Sequence, residues 1–428
     1  MFALPQPNSL RPPLPKKPRA YRFFLLAVAL ALFTHVAPLA AEENPLPLTE
    51  REVLDSALSS EVFSAQLQAR KQAAEARVLE ASLLPNPDLA IEHEQSFREP
   101  SANTETSLTI AQSFQVSGRR RLLTEAARTD VSAVALESRA DKAALASMVR
   151  TAFYELLLAQ NLSDAHEAAL KRLQELIALL EHRVEVGDAS PYELERLRLE
   201  AAELRAALSE HRAALSEHRA HLSAWLPTDH AVIAQGELLP TALPDDAALE
   251  VAFDEHPRFL AAEDHIAGLH LRRQAEDRWW LPDFRLEGGV ALGSHPGFIV
   301  GLGIELPVFQ RRQARRQELE ARALEQRWST RVERDILGAR AASLASQARS
   351  LRGAAQEYGT DGLQRAHRVL RLARQSYDAG EATILELIDA YQSVLAAETR
   401  AAELAARSRR AHLDLLELLS STLPGETP

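Results

Sequence analysis

Two stretches of this chain run for about 68 residues each without a proline and almost without a turn signal: Arg119 to Val186, and Arg311 to Ala379. At 1.5 Å rise per residue, such a run makes a helical rod about 100 Å long, which an ordinary globular domain has no use for. A rod of that length needs another long element to cover its apolar side. Both runs end alike, at Val186-Gly187-Asp188-Ala189-Ser190-Pro191-Tyr192-Glu193-Leu194 and at Ala379-Gly380-Glu381-Ala382-Thr383-Ile384-Leu385-Glu386-Leu387. A glycine stops one helix, Ser190 or Thr383 caps the next, and a carboxylate three residues on completes a capping box. Two rods that each turn back on themselves at a glycine tip outline the wall of a tube.

What precedes the rods is also duplicated. Thr49 to Ser82 reads as a helix opened by the Thr49/Glu52 capping box and stopped by Leu84-Pro85-Asn86-Pro87. Leu89, Ile91, His93, Gln95 and Phe97 then alternate with Asp88, Ala90, Glu92 and Glu94, a strand pattern of period two. After a turn at Arg98 to Ala102, Leu108, Ile110, Phe114 and Val116 alternate with Thr109, Ala111, Ser113 and Gln115. Strands of about ten residues are the length a tilted barrel strand needs to cross a bilayer. Beyond the first tip, Leu194, Leu197, Ala201, Leu204, Leu208, Leu215 and Leu222 form a heptad seam, with His211 and His218 at its missing positions. Two histidines one heptad apart can suggest a metal site, but they also read as polar residues tolerated in a wet seam.

The second copy follows a linker over 228–244. Asp245 to Trp280 reads as a helix, and Leu281-Pro282-Asp283 repeats the stop. Phe284–Gly293 and Phe298–Leu306 make a second hairpin around Ser294-His295-Pro296-Gly297. Pro307 to Arg312 matches Gln115 to Arg120, and the second rod carries Gly359 and Gly362, which predict a kink. A final helix reaches about Ser420. The organisation is thus a first repeat over 42–227 (hairpin 88–116, tip 186–191), the 228–244 linker, and a second repeat over 245–428 (hairpin 284–306, tip 379–383). The fold class is mainly α with a membrane β-barrel part. Four strands cannot close such a barrel, for which eight is about the minimum, so several chains must contribute. Three copies supply twelve strands and a ring of twelve helices.

The N-terminal 1–41 reads as a secretory signal: Arg11, Lys16, Lys17, Arg19 and Arg22, then the apolar run Phe23 to Phe33, then Ala37-Pro38-Leu39-Ala40-Ala41. The alternative, an uncleaved anchor, suffers from an apolar run shorter than a membrane span. Removing five positive charges and no acid moves the formal charge from -11 to -16, which disfavours a nucleic-acid partner. The chain has no cysteine, so disulfides, thiolate metal sites and lipidation on cysteine are excluded. No other stretch is apolar enough for a membrane helix, so the mature chain can enter a bilayer only as a closed barrel. No Walker loop, GxSxG elbow, HExxH, Rossmann fingerprint or cysteine nucleophile is present. The expectation is therefore no enzyme, no cofactor and no metal site, with any energy for transport coming from a partner.

Leu83-Leu84-Pro85-Asn86-Pro87, Gln112-Ser113-Phe114-Gln115-Val116-Ser117-Gly118-Arg119-Arg120, Gly303-Ile304-Glu305-Leu306-Pro307-Val308-Phe309 and the two glycine tips together resemble the TolC-type outer-membrane efflux channels. The phrase Phe114 to Arg121 is most like the branch that serves heavy-metal pumps of the cobalt-zinc-cadmium type. The resemblance implies a homotrimer with a twelve-stranded β-barrel in outer-membrane lipid and a long coiled-coil α-helical barrel in the periplasm. It also implies a periplasmic adaptor (membrane fusion) protein and a proton-driven inner-membrane pump as partners, with heavy-metal cations as cargo.

In that family the tips constrict the periplasmic mouth and dock the adaptor, which here assigns docking to Gly187, Asp188, Ala189, Ser190, Gly380, Glu381, Ala382 and Thr383. Aperture carboxylates fall on Glu193, Glu386 and Asp389. Taken alone, those acids also read as ordinary first-turn residues favoured by the helix dipole. The family's latch arginine, two residues after the second tip glycine, is Ala382 here, and Arg196 is the candidate substitute. Two other readings stay open. One is a periplasmic coiled-coil scaffold or adaptor without a pore, which would not need the alternating ten-residue segments; the other is the same channel carrying drugs or secreted polypeptide.

Overall fold

The structure, a computed structural model, describes residues 46–96, 103–227, 231–293 and 295–419. The signal-peptide reading over 1–41, the turn at Arg98 to Ala102 and Ser420 lie outside the described residues. In order, the elements are β1 (Leu46–Thr49), α1 (Glu50–Leu58), α2 (Glu61–Ser82), β2 (Asp88–Ser96), β3 (Asn103–Phe114), α3 (Arg119–Glu185) and α4 (Pro191–Ser223). The chain continues through β4 (Val232–Gln235), α5 (Asp246–Asp254), α6 (Pro257–Asp277), a 3₁₀ turn (Arg278–Trp280), β5 (Phe284–Gly293) and β6 (Gly297–Ile304). It ends with α7 (Gln313–Glu357), a π-helical turn (Tyr358–Gly362), α8 (Leu363–Asp378) and α9 (Ile384–Leu419).

The first rod, α3, is one helix of 67 residues. The second is continuous through α7 and α8 but contains the π-helical turn at the two glycines where a kink was predicted. Widening one turn lets the helix continue where glycine would weaken it. Other differences from expectation have local causes. The helix predicted over Thr49 to Ser82 is two, because Ser60 is extended (ψ 128°) and Ser59 turns its hydroxyl back onto the Ser56 carbonyl at 3.1 Å. The break lets α1 bury Val53 and Ala57 in the central core. The helix predicted over Asp245 to Trp280 breaks before Pro257, whose ring holds His256 extended. The second rod starts at Gln313, two residues beyond the Arg311 expected from the sequence match, after the left-handed Arg312.

The largest apolar cluster among the described residues lies midway along α3 and at the ends of α4 and α9, where Val53, Phe153, Leu156, Leu222, Val232 and Leu416 meet. Each such side chain contributes about 1.5–3 kcal/mol relative to exposure. Over this cluster, β1 and β4 pair in parallel (Leu46 opposite Val232, Thr49 opposite Gln235). The linker predicted over 228–244 therefore contains a strand, which Gln160 fixes by bonding both the N–H and the carbonyl of Ala234 at 2.9 and 3.2 Å.

The four remaining strands form one antiparallel sheet in the order β2-β3-β5-β6. The two hairpins join through β3 and β5, with Phe114 opposite Phe284 and Leu108 opposite Val290. Directly opposed residues share a face. The register therefore gathers Leu89, Ile91, Leu108, Ile110, Leu286, Val290, Phe298, Val300 and Leu302 on one face. Asp88, Glu92, Glu94, Glu105 and Glu287 lie on the other, with Arg285 and several glycines. The apolar face is open: Phe298 is 91% and Val300 84% exposed. No helix among the described residues is long and apolar enough to cross a membrane.

Candidate functional site

At the end of each rod the backbone is set by one residue. Gly187 and Gly380 have φ of 78° and 76°, the left-handed region that a side chain makes costly. Around each, the N–H of the next residue bonds back to the third helical carbonyl from the end: Asp188 to Arg183 at 2.7 Å, and Glu381 to Ser376 at 2.8 Å. The glycine N–H groups bond to Val184 and Tyr377 at 3.1 and 3.0 Å, completing a Schellman motif at both tips. The returning helices are capped in the same manner. Glu193 accepts from the Ser190 N–H at 3.1 Å while Ser190 Oγ accepts from Tyr192 at 3.2 Å. Glu386 accepts from the Thr383 N–H at 2.7 Å, and Thr383 Oγ1 accepts from the Glu386 N–H at 3.4 Å.

The two tips pack side by side. Leu176, Leu180, Leu194 and Leu197 of the first meet Ile384, Leu387 and Ile388 of the second in one buried cluster. Arg183 spans the pair. Its Nε donates to Asp188 Oδ2 at 2.9 Å, its Nη1 to Tyr377 Oη at 3.1 Å, and its guanidinium lies 5.6 Å from the Tyr377 ring centre. The Asp188 hydrogen bond pushes the Arg183 pKa up, and burial pushes the Tyr377 phenol up, so both keep their protons across the physiological range. Neither residue was singled out from the sequence. The available signal was that the two copies differ there: Arg183 and Val184 in the first stand where Ser376 and Tyr377 do in the second.

Of the residues predicted to line the aperture, Glu193 and Glu386 each spend one carboxylate oxygen on their own helix cap. Asp389 and Arg196 are exposed and have no side-chain partner among the described residues. Glu193, Arg196, Glu386 and Asp389 thus share one end of the molecule, just beyond the glycines. Asp188, Ala189, Glu381 and Ala382 form the tip loops, and only Asp188 among them has a side-chain bond, to Arg183.

His211 lies tilted against His166 with ring centres 4.0 Å apart, and burial together with that neighbour holds its pKa below the usual value. His218 faces Glu155 at 3.7 Å. Among the described residues no group of His, Asp and Glu has the arrangement to hold a metal ion.

Comparison with known proteins agrees with this geometry. Residues 248–421, the second copy, match the outer membrane efflux protein family. No curated protein matches the sequence. Among solved structures, a membrane protein from Pseudomonas aeruginosa superposes with a TM-score of 0.71 at 20% identity, over 86% of this chain and 92% of that one. The Campylobacter jejuni CmeC outer membrane channel gives 0.71 at 14% identity, over 89% and 87%. CusC, described with conformational changes accompanying folding and transmembrane channel formation, gives 0.69 at 19% identity, over 86% and 91%. The fold of this chain is that of TolC-type outer-membrane channels: a long helical part joined to a β part.

Proposed function

We propose that the chain is the outer-membrane channel of a tripartite efflux system, a passive duct open to the outside and docked in the periplasm to an adaptor and a proton-driven inner-membrane pump. The carrying observation is the four-stranded sheet, with one face apolar and exposed and both edge strands, β2 and β6, without an outer neighbour among the described residues. Its strands alternate in direction, so β6 of one copy can pair antiparallel with β2 of the next. That head-to-tail contact closes as a ring. Three copies give an even twelve-stranded barrel whose apolar side meets lipid and whose acidic side faces the lumen. A periplasmic scaffold without a pore gives no reason for this sheet.

In the same reading the tips form the periplasmic mouth. Rings of Glu193, Glu386 and Asp389 favour cations, and Arg183 ties the two tips of each copy in the closed arrangement. Arg196, which has no partner among the described residues, is assigned to a neighbouring copy in this reading. The cargo we assign is heavy-metal cations. This is supported by the Phe114 to Arg121 phrase and by Asp88, Glu92, Glu94, Glu105 and Glu287 sharing the lumenal face of the sheet.

The experiment is extraction followed by conductance. The mature chain should require detergent, run as a trimer that heat dissociates, and form pores in planar bilayers that are small at rest. Arg183→Ala and Arg196→Glu should each raise resting conductance several-fold. A water-soluble monomer, or unchanged conductance in both variants, contradicts the channel and the gate respectively.

A further inference from the structure

Arginines crowd the level where the sheet gives way to the rods. α3 opens with Arg119, Arg120 and Arg121 and carries Arg128; the 3₁₀ turn before β5 adds Arg278; the connection into α7 adds Arg311 and Arg312, and the first turn of α7 adds Arg315 and Arg316. Four of these are paired with three carboxylates of the chain. Arg119 and Arg312 share Glu276 at 2.8 and 3.0 Å, Arg316 meets Asp277 at 3.1 Å, and Arg315 meets Glu318 at 2.7 Å. Among the described residues, the side chains of Arg120, Arg121, Arg128 and Arg278 have no hydrogen-bond or ion-pair partner. Arg311 lies over the Trp279 ring, 5.6 Å from its centre.

The unpaired cations are not scattered. Arg120, Arg121 and Arg128 line a groove of about 620 Å³ with Ser82, Gln115 and Gly118, in which Glu125 is the sole acid among the described residues. Arg278 lines a second of about 370 Å³ together with Trp279, Arg119 and Arg312, against Glu276, Asp283 and Glu305. This excess of positive charge stands out in a chain of net charge -11. It also lies just past the strand ends at Phe114 and Ile304, among the exposed Val116, Val308 and Phe309, and next in the chain to Trp280, which is 61% exposed. An apolar belt bordered by exposed tryptophan and free arginine is the pattern of a protein surface at headgroup depth.

We propose that this collar binds the phosphate groups of anionic phospholipid in the leaflet at the foot of the barrel. Arg120, Arg121 and Arg128 hold a headgroup in the first groove, and Arg278 and Arg311 hold one beside Trp280. Guanidinium forks suit the job because they bond phosphate oxygens in pairs. The collar fixes the depth of the barrel and would, in a closed ring, repeat around it. The inference rests on the channel reading, since only a membrane barrel brings this level to the headgroups.

The test uses the full-length chain in neutral detergent, with heat-unfolding midpoints and native mass spectrometry in the presence of phosphatidylglycerol, phosphatidylcholine or inorganic phosphate. Phosphatidylglycerol should stay bound and raise the midpoint by several degrees more than phosphatidylcholine, with inorganic phosphate adding little. Equal effects of the two lipids on the wild-type chain, or an equal effect of free phosphate, overturn the proposal without any variant. In R120Q/R121Q/R128Q/R278Q/R311Q, which removes both proposed sites, binding of phosphatidylglycerol should fall about tenfold or more, while the midpoint in phosphatidylcholine stays at the wild-type value. The matching Arg→Lys variant should retain most of the preference, which a purely structural role would not explain. Retention of full binding by the Gln variant is a contradictory result. A chain that needs no detergent fails the channel reading, whereas a detergent-extracted oligomer without lipid preference fails this inference alone.

Discussion

The two internal copies are nearly identical at their tips and unlike in the rods that carry those tips. Gly187 and Gly380 differ by two degrees in φ, and the two Schellman bonds and the carboxylate-to-cap bond recur at both tips. Yet α3 runs 67 residues without interruption, while its counterpart takes a π-helical turn at Tyr358–Gly362. The rods also begin differently: the left-handed cap is Gly118 in the first copy and Arg312 in the second. A chain reversal at a helix end admits few solutions, so duplicated tips stay alike. A rod only has to keep its apolar side covered, and it can absorb a change of register in mid-course.

Beside the β3–β5 pairing, the bases of the two rods share one carboxylate. Glu276 is 7% exposed and accepts from Arg119 of the first rod and Arg312 at the start of the second. Burial would raise its pKa, but the two arginines hold it below the usual carboxylate range. Its charge is thus present at neutral pH, and its stabilisation is lost only as acid protonates it. Glu276→Gln leaves two guanidinium groups facing each other around a buried site, and should cost about 3 kcal/mol in heat or denaturant unfolding. Arg119→Gln and Arg312→Gln should each cost less, because one guanidinium remains, and the double variant more than their sum, because it leaves the buried carboxylate with no cation. Strict additivity would mean that the copies are anchored independently.

A second measurement asks whether the likeness of the tips extends to their packing. Leu194 and Leu387 stand seven residues beyond their respective glycines, but Leu194 is 8% and Leu387 1% exposed. Leu387→Ala should fall within the usual 2–5 kcal/mol for a buried leucine, with Leu194→Ala below it. A larger cost at Leu194 would show that the first tip, not the second, anchors the shared cluster.

How much of this could be read from the sequence follows the range of the interaction involved. Capping boxes, glycine stops and strand alternation join residues a few positions apart, and Ser190, Gly380 and the Leu89–Ile91 alternation all stand in the structure where their chemistry puts them. The parallel pairing of Leu46–Thr49 with Val232–Gln235 joins two four-residue segments across most of the first copy, and neither has a pattern of its own. Arg183 and Tyr377 meet only because two tips pack together, 194 residues apart in the chain. The break at His256 was legible in principle from Pro257. The order β2-β3-β5-β6 was not, because either hairpin edge could have joined the other.

The smallest expected effect addresses the difference between the rods most directly. Gly359 has nothing within 4 Å of the position a Cβ would take, so Gly359→Ala should stabilise by about 0.5–1 kcal/mol through the unfolded chain and helix propensity. Gly362 has the ring of Tyr358 at 3.0 Å from that position, closer than a Cβ tolerates without movement. Gly362→Ala must therefore push the ring aside, and its propensity gain should be cancelled or reversed. If both substitutions stabilise equally, the π-helical turn is held by nothing but glycine's weakness as a helix former, and the second rod differs from the first only in composition. If Gly362→Ala destabilises while Gly359→Ala does not, the turn is held by a specific packing of Tyr358 against its own backbone, and the rods differ by construction.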